Sequence, residues 1–445
     1  MEISKFRFLL GLGFLFFGLI SFAQHRIDKT PFSIRLEPME FQEFPRIQSF
    51  AYGEYYGKWV LIGGRIDGLH RRQPWATFDD AGQNRRMYVI DPLTGKTWSR
   101  ALSELPVSLA EQLQSTNMQF VQKGEHLFIA GGYGFSDTKN DHTTFPYLTI
   151  VDLPGLIQAM INNTILTQYF IQVKDSLMAV AGGRMGMIGD SLLLAGGHRF
   201  EGRYNPHSPD HGPGFVQEYT NEIRIFTTEI TKGKCSINHI SVLQDSVNLH
   251  RRDYNLVPQV TEDKTVKFTI FSGVFQYGKD IPFTNLVDIT THGIQVNDTF
   301  QQKFSHYHCA VMPMYDSGNK VMYSVFFGGI ARFYPNKKGE ITDDLDVPFT
   351  KAISVIERRG TGFIEWLIPV EMPGYLGASA EFIADHKANI FSRGILDISA
   401  PGGKEVFMGY IVGGIQSSAK HIFWDNSGKE SVASKAVFKV YLTKY

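Results

Sequence analysis

The sequence has little cysteine and no excess of charge of either sign. Its 445 residues include two cysteines, and 44 Lys and Arg residues balance 44 Asp and Glu residues. Two cysteines cannot provide the disulfide framework of a small secreted scaffold. A balanced charge argues against a nucleic-acid-binding protein, which needs clustered basic residues. The 35 Phe and 19 Tyr residues can build a large core, which argues against disorder.

The one long apolar run lies at the N-terminus and is typical of an export signal. It extends from Phe8 to Phe22 behind a basic start, and its length of about 15 residues is short for a bilayer span. Small residues at positions 21 and 23 favour cleavage before Gln24. We therefore predict a signal peptide over 1–23, a single mature domain over 24–445, and a periplasmic, cell-surface or secreted protein without a membrane span. The alternative is an uncleaved membrane anchor.

A short β-branched or aromatic run that ends in Gly-Gly, or once in Ser-Gly, recurs along the chain. Six copies follow one another at intervals of roughly 70 residues, which is typical of a propeller or another repeat array. One such glycine would be an ordinary hairpin residue, whereas six indicate strand ends where packed sheets converge. The final glycines of the six runs are Gly64, Gly132, Gly197, Gly273, Gly329 and Gly414.

The first copy is the most complete. Its strand Trp59–Gly64 is followed by an apolar strand from Met87, an Asp-Pro turn, a Thr-Gly-Lys turn and a strand that contains Trp98. The double glycine, the strand tyrosine and the tryptophan resemble the kelch repeat, although the later copies lack the tryptophan. The resemblance implies a β-propeller of four-stranded antiparallel sheets. The chain is also similar to kelch-like proteins that Bacteroidetes-type bacteria export.

We predict an all-β fold, a six-bladed kelch-like propeller with one blade for each glycine strand. The last strand, Ala436–Leu442, leaves too little chain for a fourth strand in blade six. The orphan run Phe32–Pro38 is therefore expected to close the ring as the outer strand of that blade, because closure removes open sheet edges. The same topology places Cys235 on the outside of blade three and Cys309 on the inner strand of blade five, too far apart for a disulfide.

The longest predicted loops follow the glycine strands and share one face of the propeller. The turns between first and second strands are mostly short, so insertions concentrate on a single face, where we expect function. Neutral variation in loop length is the alternative, but it would lengthen both faces. The long segments are Arg65–Arg85, Tyr133–Pro146, His198–Asn221, Val274–Thr284, Ile330–Thr350 and Ile415–Lys435.

Candidate ligand-binding residues lie in these loops and just ahead of the inner strands. Arginine offers paired donors for carboxylate or sulfate, and aromatic rings suit sugar faces or protein hot spots. Each arginine alone is about as well explained by a salt bridge between blades. We place Arg252, Tyr254, His306, His308 and Glu381 at the channel mouth, with Arg65, Arg199 and Arg332 around them. The interleaved aromatic residues are Trp75, Tyr133, Phe200, Tyr204, Tyr277, Phe333, Tyr334 and Trp424.

No metal or cofactor is predicted. His198, His207 and His211 share one loop with Asp210, and these residue types bind zinc or copper. Their spacing in a Pro- and Gly-rich loop matches no tight ligand motif. The two histidines 306 and 308 are expected on one side of a strand and Cys309 on the other, so they form no ligand set.

Two functional hypotheses follow. The first is an exported propeller that binds a glycan, including an anionic one, or a protein partner through its long-loop face. The second, implied by the resemblance, is a carbohydrate-active enzyme of the sialic-acid mutarotase or epimerase type, in which Glu381 and Arg252 serve acid–base chemistry and carboxylate binding. Copper radical oxidases share the architecture, but neither cysteine here stands in the motif they need. Because no Ser-His-Asp, paired-carboxylate or nucleotide-loop pattern is present, we favour binding.

Overall fold

Most of the chain folds into consecutive antiparallel β-sheets. The computed structural model describes residues 30–71, 73, 75–205, 214–423 and 426–445. Six sheets, numbered in chain order, each contain four antiparallel strands, and sheet 5 carries two further short strands. The second strands are apolar along nearly their whole length because neighbouring sheets cover both of their faces. The predicted signal peptide lies outside the described residues.

In sheets 1 to 3 the four strands lie side by side in chain order. Sheet 1 contains Ala51–Tyr55, Lys58–Ile62, Arg86–Asp91 and Lys96–Ala101. Sheet 2 contains Gln119–Lys123, His126–Ala130, Tyr147–Asp152 and Phe170–Lys174. Sheet 3 contains Arg184–Ile188, Ser191–Ala195, Glu222–Thr231 and Lys234–Gln244.

The second half of the chain repeats this order. Sheet 4 contains Asn255–Val260, Val266–Phe271, Leu286–Thr290 and Gly293–Asn297. Sheet 5 contains Ala310–Asp316, Val321–Ile330, Phe349–Arg359 and Gly362–Glu371. Sheet 6 contains Glu381–Ala384, Glu405–Val412, Val437–Lys444 and, as its fourth strand, Phe32–Met39.

The N-terminal strand completes the last sheet. Phe32 pairs with Lys444 at one end of an antiparallel ladder, and Met39 pairs with Val437 at the other. Phe32 and Ile34 are buried in the core between sheets 5 and 6, so apolar burial holds the strand in this register. The predicted pairing of residues 32–38 with the final strand is confirmed.

Each sheet packs against the next one, and sheet 6 packs against sheet 1. Six buried apolar clusters each draw residues from two neighbouring sheets. In the cluster between sheets 1 and 6, the rings of Trp59 and Tyr410 lie 4.8 Å apart at 70°. The successive sheets therefore share one continuous circuit of cores, which is the packing of a β-propeller.

Backbone hydrogen bonds close the same circuit around the centre. One residue just ahead of each first strand donates its N–H to the carbonyl of the corresponding residue in a neighbouring sheet, at distances between 2.6 and 3.3 Å. Five of these six residues have a positive φ, which Ser, Asn, Asp and Gly tolerate in single positions. We call them the backbone ring. In donor-to-acceptor order they are Ser49, Ser379, His308, Asp253, Gly182, Asn117 and again Ser49.

The backbone ring also corrects the predicted start of one strand. The strand expected to contain His306, His308 and Cys309 begins at Ala310, since the backbone of His308 is used in the ring and Cys309 makes only an isolated bridge to Ala378. The two histidines 306 and 308 therefore do not lie on a strand. Cys235 lies on the fourth strand of sheet 3, and both cysteines are free, which confirms that they form no disulfide.

The long connections between second and third strands are largely ordered β-structure rather than plain loops. The segments from sheets 2 and 3 form an additional four-stranded sheet, which we call the crown sheet, and the segments from sheets 5 and 6 form hairpins. We call the end of the molecule that carries them the crown face. The crown sheet contains Tyr133–Ser136, Asp141–Thr144, His198–Glu201 and Val216–Tyr219. The two hairpins contain Phe333–Pro335 with Ile341–Asp343, and Ile415–Ser417 with Ser431–Ala433.

The described helices are short and lie in the connections between sheets or between strands of one sheet. None of them has the length and apolarity that a bilayer crossing requires. Two are α-helices, Val107–Leu113 and Leu153–Asn162. The 3₁₀-helices are Asp80–Gly82, Leu102–Glu104, Thr167–Tyr169 and Ser176–Met178.

A hairpin blocks the channel at the end opposite the crown face. It contains Ile390–Ser392 and Ile395–Asp397, and its second strand runs parallel to the first strand of sheet 5. Its turn residue Arg393 donates hydrogen bonds across the channel to the carbonyls of Met187 and Gly189 in sheet 3. The prediction that nearly all insertions fall on one face is therefore wrong for sheet 6, and the helix 153–162 is a second exception.

Candidate functional site

Four ionisable side chains from four different sheets meet at the backbone ring. Arg184 and Glu381 begin the first strands of sheets 3 and 6, while Asp253 and His308 belong to the ring itself. They line a cavity of about 20 Å³, which has room for about one water molecule. We call these four residues the axial quartet.

Glu381 is the acceptor at the centre of the axial quartet. Its Oε1 lies 3.3 Å from Nη1 of Arg184 and 3.0 Å from Nε2 of His308. Sheets 3 and 6 stand three places apart in the circuit of six, so the Arg184–Glu381 pair spans the channel. Arg184 also donates to the carbonyl of Tyr254 at 3.4 Å.

Burial and neighbouring charges move the pKa values of the two carboxylates in opposite directions. Burial works to raise the pKa of Glu381, but His308 and Arg184 together outweigh it and lower that pKa. Burial raises the pKa of Asp253, and its cationic neighbours only partly offset the effect. Burial, followed by the charge of Arg184, lowers the pKa of His308. We therefore assign His308 as a neutral Nε2–H donor to an ionised Glu381 at neutral pH.

Arg252 lies next to the axial quartet, and its guanidinium is enclosed by rings from the crown face. Its Nη1 donates to Nδ1 of His198 at 3.2 Å, so that histidine is neutral, in line with a pKa that burial and Arg252 hold well below its usual range. The guanidinium carbon lies 4.7 Å from the ring centre of Phe275, 5.8 Å from Tyr204 and 5.9 Å from Phe200. These contacts are cation–π in type.

The guanidinium of Arg252 is only partly satisfied. Within the described residues, its Nε is buried and has no hydrogen-bond partner. The carboxylate of Asp253 is 3.5 Å from that nitrogen, close enough for electrostatic attraction but outside hydrogen-bond geometry. A buried donor on a cation that lacks a hydrogen-bond partner is costly, and an anion would satisfy it, which makes Arg252 the candidate anion-binding residue.

The adjacent Arg251 has a different role. It is fully buried and donates to the carbonyls of Asn248 and Ser272 and to the side-chain oxygen of Asn285. Its guanidinium also lies 3.9 Å from the ring centre of Phe283. Because these groups all belong to sheets 3 and 4 and their connections, Arg251 joins the two sheets and is not available to a ligand.

Two other predicted site residues are used inside the protein. Tyr254 is fully buried, and its hydroxyl donates to the carbonyl of Ala195. His306 is also fully buried; its Nε2 lies 3.1 Å from the carbonyl of Gln302, and its Nδ1 accepts the N–H of Arg332 at 3.0 Å.

The three outlying arginines each have carboxylate partners. Arg65 is 2% exposed and is bound in a bidentate pair by Asp67, at 2.7 and 2.6 Å. Arg332 forms an equivalent pair with Asp343 on the sheet 5 hairpin. Arg199 is half exposed and contacts Glu201 and Glu218. Of the eight predicted residues, the structure brings His308, Glu381 and Arg252 together, with Tyr254 adjacent through its backbone.

The set of binding residues predicted from the sequence did not include Arg184, Asp253, His198 or Phe275. A positional signal for Arg184 exists. Arg184 and Glu381 each stand two residues after a ring residue, at the same place in their repeats. Aligning the six strand starts would have paired these opposite charges.

Of the four candidate metal ligands in the crown, only His198 belongs to the described residues. His198 is committed to Arg252 and to Gln217, whose amide lies 3.0 Å from Nδ1. His207, His211 and Asp210 lie outside the described residues, as does Trp424. Elsewhere in the part of the chain that is described, Asp344, Asp346 and His421 come close enough to share an ion, but exposed acidic groups of this kind are common without one.

Comparison with known proteins identifies the fold. No family profile and no curated protein sequence matches the chain. The solved structure of YjhT superposes with a TM-score of 0.50 and 11% sequence identity, over 90% of this chain and 99% of YjhT. At this identity the likeness shows the fold alone, and it places the chain among proteins of the β-propeller kind.

Proposed function

We propose that the protein is an exported, six-bladed kelch-type propeller that binds a carboxylated sugar on its crown face, with Arg252 as the anion receptor. The observation that carries this proposal is the buried guanidinium of Arg252, whose Nε has no hydrogen-bond partner within the described residues. The six glycine-ended strands and the circuit of six sheets support the blade count.

The surroundings of Arg252 fit a sugar acid better than a free inorganic anion. A carboxylate would pair with the guanidinium through charge-assisted hydrogen bonds, worth about 1.5–3 kcal/mol each. The partly exposed rings of Tyr204 and Phe275 would contact the apolar faces of the sugar, while the buried Phe200 packs against Tyr204. Phosphate and sulfate have no apolar face to offer these rings.

The ligand is expected to approach from the crown face. The hairpin 390–397 obstructs the opposite end of the channel. The axial cavity of about 20 Å³ is far smaller than a sugar, so the ligand would lie over the backbone ring and not inside the channel. Asp253 is the member of the axial quartet that it would meet first, because Asp253 is the most exposed of the four, at 27%.

A second candidate function is the acid–base enzyme of the sialic-acid mutarotase type. The specific observation is that the pKa values of Asp253 and Glu381 move apart, in a site where His308 contacts Glu381. In mutarotation, a base removes the proton of the anomeric hydroxyl while an acid protonates the ring oxygen. The anomeric carbon–ring oxygen bond opens, and reclosure on the other face returns both protons. A raised carboxyl pKa suits the acid, which identifies Asp253 as the group to test.

Calorimetric titration of the mature protein with N-acetylneuraminate, glucuronate and neutral glucose tests the binding proposal. We expect binding of at least one acid and not of glucose, and a loss of affinity of about ten- to a hundredfold in Arg252→Ala. Arg35→Ala is the matched control, because Arg35 is an exposed arginine on the outermost strand of sheet 6 that pairs with Glu37 and Glu405. Equal affinity of Arg252→Ala and the parent protein for the acid would overturn Arg252 as the binding site. Binding of a protein partner but of no sugar would overturn the carboxylated sugar as the ligand.

The enzyme candidate is tested separately by the rate of anomer exchange of N-acetylneuraminate in NMR spectra. Acceleration that disappears in Asp253→Asn, while calorimetric binding persists, would establish catalysis. If the parent protein does not change the exchange rate, the mutarotase candidate is wrong and the binding proposal is unaffected.

A further inference from the structure

We propose that the natural ligand is an oligosaccharide, and that Trp75 and Tyr277 stack on its outer sugar rings on either side of Arg252. This inference rests on the proposed function, because it takes Arg252 as the receptor for the acidic sugar. It extends that function from a single acidic residue to a chain that crosses the channel mouth.

Tyr277 is an exposed ring held in place by a stack of other rings. It is 75% exposed, and the edge of its ring packs against His250 at a centroid distance of 5.3 Å. His250 stacks on Tyr219 at 3.8 Å and 27°, and Tyr219 contacts His198, the hydrogen-bond partner of Arg252. Tyr277 therefore stands on a rigid support that leads directly to the anion receptor while most of its own surface remains open.

Trp75 is tied to the opposite wall of the same site. It is 74% exposed, and its backbone carbonyl accepts a hydrogen bond from Arg203. Tyr204 directly follows Arg203 in the chain. Its carbonyl accepts a hydrogen bond from the hydroxyl of Thr77, and its ring centre lies 5.8 Å from the guanidinium carbon of Arg252. The segment that carries Trp75 and Thr77 is thus hydrogen-bonded to Arg203 and Tyr204, and the ring of Tyr204 packs on Arg252.

The positions of the two rings indicate a trough rather than a pit. Trp75 follows the second strand of sheet 1 and Tyr277 that of sheet 4, and these sheets stand three places apart in the circuit of six. Arg252 lies between the supports of the two rings, because Trp75 is joined to it through Arg203 and Tyr204, and Tyr277 through His250, Tyr219 and His198. One sugar on Arg252 cannot also cover two aromatic rings on opposite sides, whereas a short chain can.

The exposure of these rings is unusual within the described chain. The other aromatic side chains with comparable exposure are Tyr445, at the C-terminus, and Tyr56, in a turn at the opposite end of sheet 1. Large aromatic surface left open beside a polar receptor is typical of a recognition surface, and Trp, Tyr and Arg dominate such contacts. Stacked sugar rings would remove this surface from water.

Calorimetric titration with galacturonate and its linear dimer, trimer and tetramer tests the inference. We expect affinity to rise from monomer to tetramer by about three- to tenfold for each aromatic ring engaged. Trp75→Ala and Tyr277→Ala should each remove the part of that gain that their own ring contributes, and the double variant should remove all of it, with monomer binding unchanged in every case. Tyr56→Ala is the matched control and should not change binding of either ligand. Equal melting temperatures of the variants would confirm that the fold is retained.

The outcomes separate this inference from the function on which it rests. Monomer and tetramer binding with equal affinity would overturn the trough while leaving the acidic-sugar site intact. A length-dependent gain that survives in the double variant would show that other residues bind the outer sugars and would also overturn it. Failure of every oligomer and of the monomeric acids named above would overturn both proposals together.

Discussion

Arg184 and Glu381 form an ion pair across the centre of the molecule, with Nη1 and Oε1 3.3 Å apart, although 197 positions separate them in the sequence. Their side chains are 17% and 13% exposed, so little water competes with the pair. The same carboxylate oxygen binds His308 at 3.0 Å. The pair links opposite sheets directly, whereas the apolar cores link only neighbours.

The first prediction concerns this pair. Glu381→Gln leaves a poorly hydrated cation at Arg184, so we expect the free energy of unfolding to fall by about 3 kcal/mol. The double variant Arg184→Met/Glu381→Gln should lose less than the sum of the single losses, because no unpaired charge remains. Chemical denaturation of the four proteins in the cycle measures the difference. Strictly additive losses would mean that the pair contributes no coupling.

The second prediction concerns acid stability and His306. Burial lowers the pKa of His306 to about 4, and its Nδ1 is already occupied by the N–H of Arg332. Since the folded pKa lies below the ordinary value of about 6.5, the unfolded chain binds the proton more readily and stability falls as pH drops through that window. Protonation of His306 in the unfolded chain should lower the free energy of unfolding by about 2 kcal/mol between pH 7 and pH 5.

Denaturation curves at these two pH values check the second prediction. His306→Asn keeps an acceptor for the N–H of Arg332 and removes the titrating group, so its stability should change less with pH than that of the parent. His292, which lies in an exposed turn, provides the control variant His292→Asn. An unchanged pH dependence in His306→Asn would show that other groups carry the acid sensitivity.

The third prediction separates two adjacent arginines. Arg251→Lys cannot reproduce the fork that binds Asn248, Ser272 and Asn285, so we expect a loss of about 2–4 kcal/mol in unfolding free energy. Arg252→Lys should keep most of the stability and lose acidic-sugar binding instead. Denaturation and calorimetry on the same two variants measure both effects. Destabilisation by Arg252→Lys equal to that of Arg251→Lys would assign both arginines to the framework.

The fourth prediction concerns the cysteines. Burial raises the pKa of Cys309 to about 12 and also raises that of the partly buried Cys235. Alkylation of the native protein without reductant should modify Cys235 slowly and Cys309 only after unfolding, because the thiolate is the reactive form. Mass spectrometry of the unfolded protein should find two modified thiols. A cross-linked peptide that contains both cysteines would contradict the observed sheet positions.

Much of the fold could be predicted because its signals are local. Strands such as Leu127–Ala130 and Leu192–Ala195 are apolar on both faces and end in paired glycines, so the sequence marks them individually. The strand Phe32–Met39 was identifiable because sheet 6 lacked a fourth strand elsewhere. The crown sheet was not identifiable, since its strands pair segments from two different connections and none has a strong pattern of its own.

The candidate site was only partly predictable for a related reason. The sequence placed Arg252, His308 and Glu381 near the axis from their positions in the repeats. It selected Arg252 but gave Arg251 no role, because the contacts of Arg251 with Ser272 and Asn285 exist only in the folded sheet. It also assigned His306 and Tyr254 to the ligand, whereas backbone carbonyls and N–H groups bind them inside the protein.

The sequence by itself determined the all-β character, the repeated glycine-ended strands and the N-terminal strand that completes the last sheet. Each of these depends on residue types and spacing within a short segment. Only the tertiary structure decided which residues meet at the centre, where Arg184 faces Glu381 and the Nε of Arg252 has no hydrogen-bond partner among the described residues. The physical reason is that these contacts exist only when the circuit of sheets closes, which brings residues nearly 200 positions apart within reach of one hydrogen bond.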